Sequence, residues 1–278
     1  MIGVTGATGF IGSHLMDALG ENGFQIDLRN STNEEIHAVI NGHDCRTIVH
    51  LANPTPSNID ENSGRMRENV RNLANRLIDI IEPMQDIHII ALSSIRVYPN
   101  GLPYFTSKSP LNPIDEYGWG KVEMEDIFKS SKHRVTALRC SSVQGIGLDG
   151  LPRGVVGIFA KQFHEYRMLN IMGDGLATKD LIHVENLVSL LVKLASIDAP
   201  ETDVFLAVGG GSPLTVTKLA ELFISGTDCK TKTIEPADFE LSGSVDNSEI
   251  MSYIDWAPTW SIENMIDESL NATRGAAQ

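Results

Sequence analysis

A tyrosine and a lysine stand four positions apart in Tyr117-Gly118-Trp119-Gly120-Lys121. If the chain turns helical there, that spacing puts both side chains on one face of the helix. An ammonium beside a phenol lowers the phenol's pKa, so such a tyrosine can exchange a proton with a carbonyl oxygen while the lysine also holds a nicotinamide ribose. The pair alone is weak, because Tyr and Lys at this spacing recur on solvated helices. It gains weight from Ser93-Ser94 at the end of the preceding strand-like run, where a hydroxyl can bind the same substrate oxygen. Open α/β sheets place their ligands at such carboxyl strand ends.

The run Thr5-Gly6-Ala7-Thr8-Gly9-Phe10-Ile11-Gly12 follows a short strand and opens a helix. Glycines spaced by three let the backbone turn tightly, let a pyrophosphate approach the loop amides, and let helix and strand pack closely. A carboxylate about 20 residues beyond such glycines usually holds the ribose hydroxyls. With Phe24 to Leu28 as the second strand, the tip is Arg29-Asn30, which holds no acid; a guanidinium there favours a 2′-phosphate and hence NADP(H). Alternatively the second strand is truncated, Asp27-Leu28 clamps the adenine, and Arg29 is a solvated surface charge.

The elements that must position these groups follow from periodicity. Short apolar runs alternate with amphipathic stretches: Ile2 to Thr5 then Phe10 to Leu19, Thr47 to Ala52 then Arg67 to Ile81, Ile87 to Ser93 then Tyr117 to Lys129. Runs apolar throughout, such as Ile87 to Leu92, suit a parallel sheet covered on both faces, so the spacing predicts an α/β fold with a doubly wound parallel sheet. Residues 1–142 are expected to form the dinucleotide-binding domain, with a returning segment near 179–203. Residues 143–178 and 204–278 are expected to form a smaller substrate-binding lobe.

Composition narrows the partners. Among 278 residues, Lys+Arg number 22 against 36 Asp+Glu, a formal charge of -14. Such a molecule repels polyanions, which argues against nucleic acid or an anionic membrane as partner. Cys45, Cys140 and Cys229 are widely spaced and form no metal-ligand pattern, so no metal site is expected and a reducing cytoplasm suits the chain. No apolar run approaches the roughly 18 residues of a membrane span, and no signal peptide is read at the N-terminus.

Several ordered motifs together resemble the extended short-chain dehydrogenase/reductase superfamily, in its nucleotide-sugar epimerase/dehydratase/reductase branch. Beyond TGATGFIG they are HLAN at 50–53, ENV at 68–70, SSIRVYP at 93–99, YGWGK at 117–121, LRCSSVQG at 138–145, KDLIHVEN at 179–186 and WAPTWSIENMI at 256–266. The resemblance implies hydride transfer between a nicotinamide and a sugar carbon, with Tyr117 as acid/base, Lys121 supporting it and Ser94 polarising the oxygen. Residues and resemblance together give a cofactor set of Gly6, Thr8, Gly9, Phe10, Ile11, Gly12, Arg29, Asn30, Leu51, Ala52, Asn53, Asn69 and Cys140, besides Tyr117 and Lys121. The corresponding substrate set is Ser94, Arg96, Ser142 and Lys179. The resemblance also implies a homodimer, built from the helices over 67–81 and 117–129, with Leu73, Leu77, Ile80 and Ile81 as an apolar stripe.

Departures from the family pattern bear on the reaction. Its dehydratases carry an Asp-Glu pair directly after the catalytic hydroxyl residue, where this chain has Ile95-Arg96, so dehydration is disfavoured. Members that epimerise carbons beside a ketone often have cysteine where Arg96 stands. The arginine that commonly clamps a diphosphate is Lys179 here, a point charge without the bidentate fork, and a common substrate asparagine is Ser142. His183 reads as a structural histidine. The resulting expectation is a ketoreductase or 4-epimerase of a nucleotide-activated sugar. Reduction of a non-sugar ketone and a non-catalytic NADP-binding redox sensor are the alternatives.

Overall fold

The computed structural model describes residues 1–53, 63–235 and 240–276. They fall into two compact units, one of 1–99, 107–140 and 188–207, the other of 100–106, 141–187 and 208–278.

The first unit carries a six-stranded sheet of β1 (Ile2–Thr5), β2 (Gly23–Ile26), β3 (Thr47–His50), β4 (His88–Ser94), β5 (Arg134–Cys140) and β6 (Val204–Val208). Its order is β6-β5-β4-β3-β1-β2, and the pairings from β5 through to β2 are parallel. Helices α1 (Phe10–Leu19), α2 (Asn33–Gly42), α3 (Ser63–Ile81) and α4 (Glu116–Lys129) alternate with the strands; the periodicity predicts α1, α3 and α4 but not α2. Along β4, Ile89 and Ala91 enter a core with Ile48 of β3, Leu77 of α3 and Phe128 of α4. Ile90, on the other face of the strand, is equally buried. Strand side chains alternate between faces, so burial of both faces produces the apolar run seen in the sequence, which only His88 interrupts.

Three expectations are corrected. First, of the two readings of the second strand the truncated one holds: β2 ends at Ile26, two residues short of the full-length reading, and Asp27 follows directly, so the strand tip carries an acid. Second, 188–207 is the segment that returns to the first unit. Val204–Val208 is an outer strand of its sheet, because Leu206, Ala207 and Val208 are apolar enough to need that cover. Leu181–His183 instead pairs with Ser142–Gln144 in the second unit. Third, Leu77, Ile80 and Ile81 lie in the first unit's own core and Leu73 packs against it, so the stripe is intramolecular packing, as such stripes more often are, and lends no support to the homodimer, which rests on the resemblance.

The second unit is held by small sheets. Leu181–His183 runs parallel to the strand Ser142–Ile146, which is antiparallel to Pro152–Arg153, and Met168–Met172 is parallel to Lys230–Ile234. The helices Gly154–Tyr166, Val216–Ile224 and Ile262–Ala276 contribute Phe159, Phe163, Phe223 and Met265 to its core. Asp180 is buried and accepts hydrogen bonds from the amides of Gly210 at 2.7 Å and Val245 at 2.9 Å, which joins a glycine turn to the short strand Ser244–Val245 of this unit. No helix among the described residues is long and apolar enough to cross a membrane.

Buried histidines make the first unit sensitive to acid. Burial pushes His50 down to about 3, with Lys121 adding to the effect, and pushes His88 down to about 4. Both are neutral in the folded chain and take up a proton near pH 6.5 when unfolded. Their contribution is therefore complete above pH 6.5 and is lost as the pH falls toward about 3 to 4. Urea unfolding followed by circular dichroism should show a midpoint that falls between about pH 6.5 and about pH 4.5, and His88→Gln should make that fall shallower. An identical fall in the variant would rule out His88 as a contributor.

Candidate active site

The first turn after β1 is shaped by contacts only glycine can make. Gly6 has φ of 70°, and a Cβ at Gly12 would lie 2.1 Å from the Gly6 carbonyl oxygen. Gly9 stands at the N-cap of α1 and supplies no side-chain hydrogen bond. The first intrahelical bond runs from the Ser13 amide to the Gly9 carbonyl at 2.9 Å, so the amides of Phe10, Ile11 and Gly12 precede the helix's own bonding. Thr8 and Gly9 are exposed beside them.

Thr5 ties this turn to the end of β3. Its hydroxyl accepts from the amides of Leu51 at 3.2 Å and Ala52 at 3.1 Å, and donates to Nδ1 of His50 at 3.0 Å. The next residue, Asn53, has a buried side-chain oxygen without a hydrogen-bond partner among the described residues. At the tip of β2, Asp27 accepts from the amides of Arg29 at 2.9 Å and Asn30 at 3.1 Å, and from the Asn30 side chain at 2.8 Å. These bonds hold its carboxyl below the usual carboxylate range, so it is ionised at neutral pH. Uncapped amides at a helix start, an orphaned amide oxygen and a strand-tip carboxylate together fit a dinucleotide: the first meets a pyrophosphate and the last ribose hydroxyls.

A second constellation lies at the carboxyl end of β4. Ser94 is half-buried and its hydroxyl accepts from the Arg96 amide at 3.2 Å, leaving its own proton available to an acceptor. Ser93 is buried and donates to Glu125 instead. The structure thus separates a structural serine from an available one. Asp115 caps α4 by accepting from the Gly118 amide at 2.7 Å, placing Tyr117 in the first helical turn. Gly118 is needed there, since a Cβ would lie 2.2 Å from the Arg96 carbonyl oxygen.

One turn on, Lys121 is 1% exposed and donates to the carbonyl of Leu92 on β4 at 2.6 Å. Its nitrogen lies 5.6 Å from the centre of the Tyr117 ring, and the Arg96 guanidinium carbon lies 5.7 Å from the same centre. Burial pushes Lys121 down to about 7, opposed by Glu125. Burial likewise pushes Tyr117 up to about 12, opposed by Arg96. Beneath them Arg139 of β5 grips Glu125 of α4 with its Nε and Nη2, the shortest contact being 2.8 Å, and donates to the Ser107 carbonyl. Cys140 is buried at the end of β5, paired in register with Ser94.

The remaining sequence candidates are placed differently. Asn69 is on an exposed face of α3, beside Val70, which is buried in the core. In the second unit, Ser142 is exposed and its hydroxyl accepts from buried Gln144 at 2.9 Å. Lys179 donates to the Leu241 carbonyl at 2.9 Å and pairs with Glu240 at 3.1 Å, so its charge is already answered within that unit. His183 donates to Glu268 at 3.0 Å and stacks on Trp260, the structural role its sequence context suggests. No cluster able to hold a metal ion is present among the described residues.

Residues 2–206 match the NAD dependent epimerase/dehydratase family. The chain belongs to this family. Among curated relatives, dTDP-4-dehydro-6-deoxyglucose reductase of Escherichia coli is 26% identical over 255 residues, covering 87% of this chain and 79% of that protein. Among solved structures, UDP-glucose 4-epimerase of Thermotoga maritima has a TM-score of 0.85 at 21% identity, covering 100% of this chain and 99% of the other. dTDP-glucose 4,6-dehydratase of Bacillus anthracis has a TM-score of 0.83 at 18% identity, covering 99% and 96%. Family relatives thus include enzymes of nucleotide sugars. Because a dehydratase shares the fold, the fold does not exclude dehydration; the expectation against it rests on Ile95-Arg96 alone.

Asp115, Glu125 and Arg139 of this family member are not among the residues singled out from the sequence. The signal for Glu125 was its position four residues after Lys121, on the same helix face. Removing Glu125 leaves Arg139 buried and uncompensated. Glu125→Ala should therefore cost about 3–5 kcal/mol of stability by urea unfolding, whereas a loss under about 1 kcal/mol would show that the pair is not what holds α4 to β5.

Proposed function

We propose that this protein is an NAD(H)-dependent oxidoreductase of a nucleotide-activated sugar, acting as a ketoreductase or 4-epimerase. The observation that carries this reading is the grouping of Ser94, Tyr117 and Lys121 at the carboxyl end of β4, the end at which open α/β sheets bind ligands. When bound, the nicotinamide supplies or accepts the hydride.

The protein's own residues provide the rest. Ser94 donates a hydrogen bond to the substrate oxygen and orients it. Tyr117, kept protonated by burial, gives its phenolic proton to that oxygen as carbonyl becomes alcohol, and recovers it in the reverse direction. Lys121, fixed by the Leu92 carbonyl, stands under the phenol and favours the phenolate left behind. Phe10, Ile11 and Gly12 present backbone amides to a pyrophosphate, and the Asn53 oxygen offers a buried acceptor to the cofactor. The nucleotide sugar as substrate is supported by the reductase relative, which is named for a dTDP-linked sugar.

The NADP(H) preference expected from Arg29-Asn30 loses its basis once Asp27 follows β2. An ionised carboxylate at that tip accepts from ribose hydroxyls and repels a 2′-phosphate, which favours NAD(H). Asp27→Asn should reduce the NAD(H) preference by about 10- to 150-fold, the range of a charge-assisted contact. Arg29→Ala should change it little. Dissociation constants for NADH and NADPH by fluorescence titration measure both; a preference for NADPH in the unmutated protein would overturn the assignment.

Tyr117→Phe should lower kcat by at least about 100-fold while NADH affinity stays within a few fold, because only the phenolic proton is removed. Lys121→Ala should weaken both turnover and cofactor binding. In a screen of nucleotide sugars, nicotinamide absorbance reads net reduction of a keto sugar, product analysis reads interconversion of C4 epimers, and calorimetry reads binding. Full activity of Tyr117→Phe would end this reading of the site.

A further inference from the structure

Arg96 lies beside Tyr117 and is not used by the proposed hydride transfer. It sits two residues after Ser94, its amide is bonded to the Ser94 hydroxyl, and its guanidinium lies over the Tyr117 ring. One terminal nitrogen pairs with Asp115. Asp115 is fixed in turn, because its other oxygen caps α4. The pair is asymmetric: the Asp115 side chain is 8% exposed and that of Arg96 is 32% exposed.

A guanidinium carries five N–H donors in a rigid plane. Apart from the Asp115 contact, no hydrogen-bond acceptor for the Arg96 side chain is present among the described residues. Asp115 therefore orients the fork by one corner while its remaining donors stay accessible beside the phenol. Pinning Asp115 would need only a single donor. An oriented and partly open fork next to the reacting oxygen is matched by a planar anion, which it can bind through two parallel hydrogen bonds.

Building on the proposed function, we infer that Arg96 is a specificity-determining residue that binds a carboxylate on the substrate sugar, next to the carbon that exchanges the hydride, so that the substrate is a nucleotide-linked uronic acid. Ser94 then engages the reacting oxygen and Arg96 the neighbouring acid, which fixes the sugar at two points. A neutral hydroxymethyl group in the same place leaves the fork without its anion.

The experiment is calorimetric titration of the NAD⁺-loaded protein with UDP-glucuronate and UDP-glucose, and with the dTDP-linked pair, with nicotinamide absorbance followed in parallel and the products analysed for the C4 epimer. The uronate should bind about 10- to 100-fold more tightly than the neutral sugar of the same nucleotide. Arg96→Met should erase most of that ratio, and Arg96→Lys should keep part of it, since it retains charge without the fork. Equal or tighter binding of the neutral sugar overturns the inference. So does an unchanged ratio in Arg96→Met, including the case in which both sugars lose turnover together with a shifted pH profile, since Arg96 would then serve Tyr117 and not the substrate. A persistent binding ratio with neither an absorbance change nor the C4 epimer among the products would sink the hydride-transfer reading while leaving the carboxylate assignment standing.

Discussion

An ammonium group removed from water must be held by acceptors that cannot move, and Lys121 meets that demand against the backbone of β4. Its bond to the Leu92 carbonyl fixes α4 along the strand that ends in Ser94. One turn later Glu125, also buried, is gripped by Arg139 from the neighbouring strand and accepts from Ser93. Buried charge is costly unless it is paired. Here the pairing runs from β4 through α4 to β5, so the helix has one position in which all of these groups are satisfied. The phenol of Tyr117 inherits its place from that position.

The dinucleotide end of the sheet works by the opposite means. At the start of α1 no side chain caps the amides, and no acid stands in the first turn to do so. A serine or threonine cap would satisfy a donor locally; the glycine leaves the donors facing outward. The same logic applies to the orphaned oxygen of Asn53. Unmet hydrogen-bonding capacity is concentrated where a ligand can meet it, while the charged network under Tyr117 is closed within the protein.

Much of this was legible in the residues. Strand and helix order followed from the alternation of apolar runs, and the glycine spacing announced the first turn, because both depend on local geometry. What escaped depended on groups distant in sequence or on a local competition for hydrogen bonds. The end of β2 was such a competition: Phe24 to Leu28 is apolar enough to continue, but Asp27 captures the amides of Arg29 and Asn30 and turns the chain. The stripe on α3 was a matter of distant groups. Leu77, Ile80 and Ile81 look alike whether they face a partner or the sheet, and only packing distinguishes the two. The charge of Lys179 was visible, whereas Glu240, which answers it, lies far along the chain.

Thr5 touches both the turn that follows β1 and the end of β3, through a single hydroxyl with every lone pair and its proton engaged. These two tips of the sheet therefore behave as one mechanical part. A substitution at position 5 would be felt at Leu51, Ala52 and His50 at once, and neither loop can drift in evolution without the other keeping pace. A residue with no direct part in chemistry thereby limits how freely the grip on a dinucleotide can diverge.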